Sequence, residues 1–449
     1  MHFISCYRSV ILILFMPLFI ACQQQTYKEY THNPHLYRLT VKKLNDIILE
    51  NNFSPVTASR NYTYANIAGY EVMAMGDPKH YNSLHGQIGS LGKTPVPASP
   101  GLIDFPLASI FAFCRVGNAV TFPEGSMDKY VGEITKTVQK KGIPRAVLSA
   151  TRAYADTVSL FIINWSHKDN YAQTRSASRY SVTQEKGRWV PTPPMYAQAV
   201  EAHWSEIRPL VLDSAGQIKV PTPPHYDMEN KSSQFYKNAL EVKKTVDHLT
   251  AEEKHIADFW DDNSFKLNVI GHVMYATKKF SPIGHWMNIV GIVSQNKHLG
   301  FNATIASYTY ASLAVFDSFI SCWYTKFHTN YVRPETVINQ SIDQDWKPYL
   351  QTPPFPEYTS GHAVISAAAA EILTSKLGDH ITFRDTSESE FGIAPLSFRS
   401  LREAASQASR SRVLGGIHFA NSCKVGADEG KRIGLLVEKK IHLEKSGVL

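Results

Sequence analysis

Cysteine is scarce, with five residues in 449 and no Cys-x-x-Cys pair among them. That excludes a disulfide scaffold and argues against a cysteine-rich zinc site. Long apolar runs are missing too: the longest, residues 10–21, is shorter than the roughly 20 residues that cross a bilayer, so no transmembrane helix is expected. Charge of one sign is never concentrated. Forty-six Lys and Arg against 39 Asp and Glu leave +7, spread too thinly and without the basic stripe that a nucleic-acid partner requires. Strand-like alternation is sparse. What the chain does have is apolar mass: 43% of its residues are hydrophobic and 19% charged, enough to bury a large core and too much for a disordered chain.

Cys6 and Cys22 lie in the N-terminal segment, where Arg8 precedes the apolar run and Ala21 stands directly before Cys22 and three glutamines. This is the pattern of a secretory signal ending in a lipobox, although Phe19 occupies a place where leucine is more usual. Residues 1–21 are therefore expected to be removed, leaving Cys22 lipidated and the protein exported and membrane-anchored. An ordinary cleaved signal peptide would export it equally.

Most of the remaining chain repeats its apolar residues with helical period. Tyr37, Val41, Leu44 and Ile48 share one helical face, Thr250-Ala-Glu-Glu has the form of a capping box, and residues 302–332, 362–377 and the stretch after Leu401 read as helices. The expected fold is all-α, with helices packed as bundles. Its parts would be an N-terminal helical region with a Pro/Gly-rich loop over 22–106 and a helical-bundle domain over 107–449. Residues 78–106 and 185–226 break the pattern, and the second contains Val-Pro-Thr-Pro-Pro-x-Tyr twice, at 190–196 and 220–226. Proline removes backbone donors, so these segments are expected to be extended wrapping loops. Two copies are too few for a stacked repeat.

Three clusters in the last third of the chain collect residues suited to a tetrahedral oxyanion. Lys326 and Arg333 are seven apart, which on a helix ending before Pro334 would place two cations on one face; read alone, they could equally be surface charges. Ser360-Gly361-His362 precedes an apolar helical run. Ser360 is placed as an N-cap, the first-turn amides can hold an anion, and His362 is a candidate acid or base beside it. In Ser411-Arg412-Val-Leu-Gly415-Gly416-Ile417-His418 the guanidinium of Arg412 offers a rigid donor fork, and the glycines let His418 turn toward the same point.

In this order the clusters match Lys-x6-Arg-Pro, Ser-Gly-His and Ser-Arg-x5-His. The combination resembles the superfamily of vanadium-dependent haloperoxidases and type 2 phosphatidic acid phosphatases, over about residues 320–425. The string Pro-Pro-Phe355-Pro-Glu-Tyr358 and Trp323, three residues before Lys326, are more similar to the haloperoxidases of the fungal chloroperoxidase and bacterial iodoperoxidase kind. The resemblance implies a vanadate cofactor whose oxygens are held by Lys326, Arg333, Ser360, the Gly361 amide and Arg412. His418 would bind the metal, and His362 would move protons at the apical oxygen. Hydrogen peroxide would then be polarised by Lys326 and attacked by halide to give hypohalous acid. Trp323 and Phe355 would wall a halide pocket, and iodide, the easiest halide to oxidise, would be handled before bromide.

One position departs from the phosphatase pattern. Four residues after His418, where phosphatases carry Asp, this chain has Ser422, so the carboxylate that would support His418 is missing there. Asp317, isolated in an apolar stretch, and the tandem Asp261-Asp262 are candidates to replace it. Cys322 and Cys423 flank Lys326 and His418, so an exported protein could join them in a disulfide, leaving Cys114 free. The resemblance also admits an exported acid phosphatase with His418 as nucleophile, and the bare motifs admit a lipoprotein that binds an oxyanion without turnover. Oligomeric state is not legible.

Overall fold

The computed structural model describes residues 26–445 apart from 124, 265, 271, 272 and 277. Residues 1–21 and Cys22 lie outside the described residues. Proline in the first turn, which costs no helical hydrogen bond, combines with a side-chain cap at the start of α1 (Pro34–Glu50), α2 (Pro55–Gly76) and α3 (Phe105–Val120), capped by Asn33, Ser54 and Asp104. Next come α4 (Asp128–Lys140), α5 (Arg145–Ser166), α6 (Tyr171–Ser176), α7 (Gln234–Asp247) and α8 (Ala251–Phe259); α8 opens on the expected Thr250–Glu253 capping box. The C-terminal half contains α9 (Pro282–Asn296), α10 (Phe301–Thr329), α11 (Pro334–Ser341), α12 (Gly361–Leu377), α13 (Leu401–Leu414) and α14 (Ala420–Lys440). Among the described residues two short antiparallel ribbons interrupt the helices. β1 (Leu267–Ile270) pairs with β2 (Val273–Ala276), and β3 (Phe383–Asp385) with β4 (Leu396–Phe398), Phe383 lying opposite Phe398.

Tyr37, Val41, Leu44 and Ile48 of α1 are all buried, as their spacing requires. α2 and α10 are buried almost all round and form the centre. Their core runs continuously from Tyr27 to Leu443, and the expected division after residue 106 falls inside α3. α5 is long and apolar enough to cross a bilayer; it buries Tyr154, Val158, Ile162 and Trp165 and directs Asp156 to Arg115 at 2.6 Å.

Glycine sets one contact that matters for the site. A Cβ on Gly430 would lie 1.9 Å from the Val364 carbonyl oxygen, and one on Gly426 3.0 Å from that of Ser360. α14 therefore lies directly on α12, fixing the chain just after His418 against the turn that carries Ser360. A second apolar cluster, with Phe235, Val242, Tyr331, Tyr358 and Phe419, supports the loops around these residues. The proline strings wrap them as expected: Tyr358 and Tyr331 donate their hydroxyls to the carbonyls of Pro221 and Pro224, each at 2.6 Å, and Trp189 N donates to Asn330 O at 2.9 Å.

Candidate active site

Lys326 and Arg333 meet, but not on one helical face. α10 stops at Thr329 because Asn330 takes a left-handed conformation (φ 47°), and Pro334 opens α11 rather than closing α10. The residue before proline is pushed to extended backbone, and Arg333 (φ −81°, ψ 151°) obeys this as the N-cap of α11. Both side chains are fully buried. Lys326 Nζ donates to the carbonyls of Pro356 and Glu357 at 2.8 and 2.9 Å. Arg333 donates from Nε to Phe355 O at 3.0 Å and from Nη1 to Ile417 O at 2.8 Å, leaving Nη2 without a partner. Burial pulls the lysine down to about 8 and the arginine to about 10, with Arg333 adding to the cost of the first charge and Arg412 to that of the second.

Arg412 comes from the last turn of α13 and reaches the carbonyls of Trp260 and Asp261, with its Nε unpaired. Ser360 stands at the N-cap of α12, but its side chain does not cap. Buried beside the Cys423 thiol, its Oγ makes no hydrogen bond of good geometry. The expected capping bond is thus absent, and the hydroxyl stays available. A Cβ on Gly361 would meet only Trp323, at 3.7 Å. His362 Nε2 has no hydrogen bond; the nearest carboxylate oxygen is Asp262 Oδ2 at 3.7 Å. Burial, then the charges of Arg412, His285 and Lys326, hold this imidazole well below its usual range, so it is neutral.

Gly415 ends α13, Gly416 turns the chain with φ +75°, and His418 follows in the link to α14. Its Nε2 lies 3.1 Å from Arg333 Nη1, while its Nδ1 lies 2.7 Å from Glu357 Oε1, which also accepts from Phe419 N at 3.1 Å. With Nδ1 carrying the proton shared with Glu357, the Nε2 lone pair is the one turned inward. Burial and then Arg333, Lys326 and Arg412 depress this histidine too.

Glu357 is therefore the carboxylate that Ser422 seemed to lack. Sequence reasoning passed over it although it lies in the quoted Pro-Pro-Phe-Pro-Glu-Tyr string. Ser422 sits beside it, and its hydroxyl helps hold the carboxylate down against burial and the pull to about 7. The support has moved from helix to loop. Asp317 does not serve here: it accepts the amides of Leu210, Val211 and Leu212 at 2.8, 2.7 and 2.6 Å and anchors that loop. Cys322 and Cys423 are both free and buried, Cys322 Sγ facing Thr359 O at 3.6 Å, so the disulfide expectation is corrected; Cys114 is free as expected.

Asp262 serves the other histidine. Its Oδ1 lies 2.9 Å from His285 Nδ1, and His285 Nε2 lies 2.9 Å from Asp385 Oδ2. Asp262, His285 and Glu388 bring ligand-type atoms within 4.8 Å of one another, but both ring nitrogens are engaged, which makes this an ion-paired chain. Burial opposes charging His285, yet Asp262 and Asp385 outweigh it and hold the ring well above its usual range. A raised folded-state value means that these pairs contribute fully below about pH 6.5 and fade as the pH climbs through that value. Burial pushes Glu388 up to about 8, so the fold keeps a proton that the unfolded chain has lost, and this too removes stability as pH rises from about 4.5 to 8. Urea midpoints should fall between about pH 6 and 9, less steeply in Glu388→Gln; an equal slope in both proteins would contradict the assignment.

The Trp323 and Phe355 rings lie 5.0 Å apart. Lys326 Nζ is 5.1 Å from the Phe355 centroid and 5.9 Å from that of Trp323, and Arg333 Cζ is 5.1 Å from Phe355. The rings line the cations rather than merely filling the bundle.

Three donors, Arg333 Nη2, Arg412 Nε and Ser360 Oγ, thus end unused in a buried pocket where burial lowers all three cations and their charges hold down two histidines. Buried unpaired donors of this kind call for a compact oxyanion. A family model described as the VCPO second helical-bundle domain matches residues 306–444. The fold is similar to a crystal structure described as the first bacterial vanadium-dependent iodoperoxidase, at 39% identity and a TM-score of 0.87, covering 92% of this chain and 98% of that one. Holo- and apo-type bacterial vanadium-dependent chloroperoxidases share the fold at 15% and 16% identity, with TM-scores of 0.64 and 0.65; each alignment covers 86% of this chain, and 92% and 95% of theirs. No curated protein sequence matches the chain.

Proposed function

The chain belongs to the vanadium-dependent haloperoxidases, with vanadate as cofactor, and on that premise we propose that it oxidises iodide with hydrogen peroxide to hypoiodous acid. The observation that carries the choice of halide is the likeness to the bacterial iodoperoxidase across 98% of that protein's length. When bound, vanadate supplies a Lewis-acidic centre that activates peroxide without changing its own oxidation state.

The protein's part is to hold and to protonate. Lys326, Arg333, Arg412, Ser360 Oγ and the Gly361 amide would hold the oxygens, using the donors left unpaired in the pocket, and His418 Nε2 would bond the metal. Arg333 Nη1, which lies 3.1 Å from that nitrogen, would then turn to an oxygen. His362 is neutral and can take a proton from peroxide, then return it to the departing oxygen. This matters because I⁻ + H2O2 + H⁺ → HOI + H2O consumes one proton per turnover. Trp323 and Phe355 would give a large polarisable halide an apolar wall beside Lys326.

Vanadate-loaded protein should form triiodide from iodide and peroxide, with bromide at least tenfold slower and the metal-free protein inactive. Faster bromide turnover would overturn the halide assignment. We also propose that residues 1–21 are removed and that lipid on Cys22 anchors the exported protein. Mass spectrometry of the membrane fraction should recover an acylated N-terminal peptide beginning at Cys22; an unmodified soluble protein would contradict this.

A further inference from the structure

Thr26 donates its hydroxyl to the Lys141 carbonyl at 2.8 Å, and residues 23–25 alone separate it from Cys22. At no more than about 3.6 Å per residue, Cys22 reaches at most about 14 Å beyond Thr26. A lipid on Cys22 therefore holds this end of the protein close to a bilayer. Beside it runs the segment 94–103, ten residues without a charge. Tyr27, Lys28, Leu102 and Val147 line one cavity, which places Leu102 at the Thr26 end. From there the segment follows α5 in the opposite direction. Leu102 shares the cavity with Val147, Pro95 O accepts from the Tyr154 hydroxyl at 3.0 Å, and a Cβ on Gly92 would meet the Phe161 ring at 3.5 Å. Val147, Tyr154 and Phe161 are seven apart and share one line of the helix.

The outer side of this pair is apolar. Val96, Leu102 and Leu160 are 77%, 45% and 48% exposed, three of the eight large hydrophobic side chains exposed among the described residues, so that exposed apolar surface gathers on this face. Between the loop and Leu160, α5 carries Ala146, Ala150, Ala153 and Thr157 at helical spacing, none of them buried. Its two mid-helix charges turn the other way: Arg152 Nη2 donates to Thr135 Oγ1 at 2.8 Å, and Asp156 accepts from Arg115 at 2.6 Å. Cations stand at the ends instead. Lys28, Lys140, Lys141 and Arg145 lie near Thr26, and His167 and Lys168 follow the far end of α5; none of these six is buried.

We infer that this face, the outer side of α5 with the loop 95–103, lies against a phospholipid surface, the cations at its ends meeting anionic headgroups. The inference rests on the lipid proposed at Cys22 and deepens it by naming the surface that the lipid brings down. The lipid attaches the protein, and the face orients it. α5 buries Tyr154, Val158, Ile162 and Trp165 on its inner side, so it lies in the plane of the interface and does not cross it. An uncharged apolar side flanked by basic residues is the pattern of such a helix. α4, the other helix beside Thr26, exposes Asp128 and Glu133 among its lysines, and anionic headgroups would repel those carboxylates.

The test uses the lipidated, vanadate-loaded protein on phosphatidylethanolamine–phosphatidylglycerol vesicles. A bimane is attached at Leu102→Cys, at Leu160→Cys or, as a control on α13, at Ser406→Cys; α12, α10 and α2 stand between α13 and α5. Cys114, Cys322 and Cys423 are buried and do not compete for the label. Brominated lipid should quench the label at least twofold at 102 and 160 and leave it nearly unchanged at 406. Hydrogen exchange needs no label and keeps the test alive should a variant fold poorly. Amides of 95–103 should exchange at least threefold more slowly on vesicles than in the unlipidated mature chain carrying Cys22→Ser, with α13 unchanged. Lipidated protein that shows no quenching at 102 and 160, or equal quenching at all three positions, would turn freely on its lipid and overturn the inference. Slowing that grows with concentration in the unlipidated chain would give the face to a second copy and overturn it too. Protein that carries no lipid and stays off the vesicles would instead sink the reading of Cys22.

Discussion

His418→Ala should bring vanadate binding down at least a hundredfold, whereas His362→Ala should leave it within about tenfold of the parent and lose roughly 10²–10⁴ in turnover. The two rings lie in the same buried pocket and both are depressed, yet their partners differ. His418 is held from behind by Glu357 at 2.7 Å and presents Nε2 inward, the arrangement of a ligand imidazole backed by a carboxylate. His362 has no close partner; Asp262 at 3.7 Å can tighten once the ring is charged. That suits a group that gains and loses a proton. Equilibrium dialysis against vanadate separates binding from turnover, and equal loss of vanadate in both variants would show that the roles are misassigned.

The limits of the sequence reading follow from which interactions are local. The helical period is local, and the face of α1, the start of α8 and the existence of α10 and α12 were legible for that reason. The cation and histidine motifs were legible because short strings carry them. The geometry between Lys326 and Arg333 was not: spacing of seven fits two helical turns, and only the left-handed Asn330 with Pro334 as a helix start converts it to a loop. Asp317 looked like a partner for a histidine because an isolated acid in an apolar helix must be satisfied. Its partners are three backbone amides more than a hundred residues away, and no side-chain pattern encodes them. Glu357 was overlooked for the converse reason. A family-shaped expectation directed attention to position 422, while the carboxylate that reaches His418 sits 61 residues earlier in sequence.

Glu357→Ala should therefore weaken vanadate binding by about 10- to 100-fold, the range seen when a carboxylate behind a metal-bound histidine is removed, and destabilise the metal-free protein by about 3–5 kcal/mol. Two effects combine. The carboxylate holds His418 Nδ1–H and Phe419 N, so its loss leaves two buried donors unmet. It is also the carboxylate that acts most strongly on Arg333 and Lys326, and alanine would leave those charges without it. Glu357→Gln separates the two: its amide oxygen can still accept from His418 and Phe419 but carries no charge. If orientation dominates, the glutamine variant should recover most of the vanadate affinity and only part of the stability. If charge dominates, it should behave like alanine in both. The pH dependence gives a further check. Burial raises Glu357 to about 7, so in the metal-free protein its contribution to stability falls as pH rises from about 4.5 to 7, where the unfolded chain is ionised and the folded one is not. That fall should be absent in Glu357→Gln. A glutamine variant with the parent's pH slope would place the titrating group elsewhere and remove Glu357 from its role behind His418.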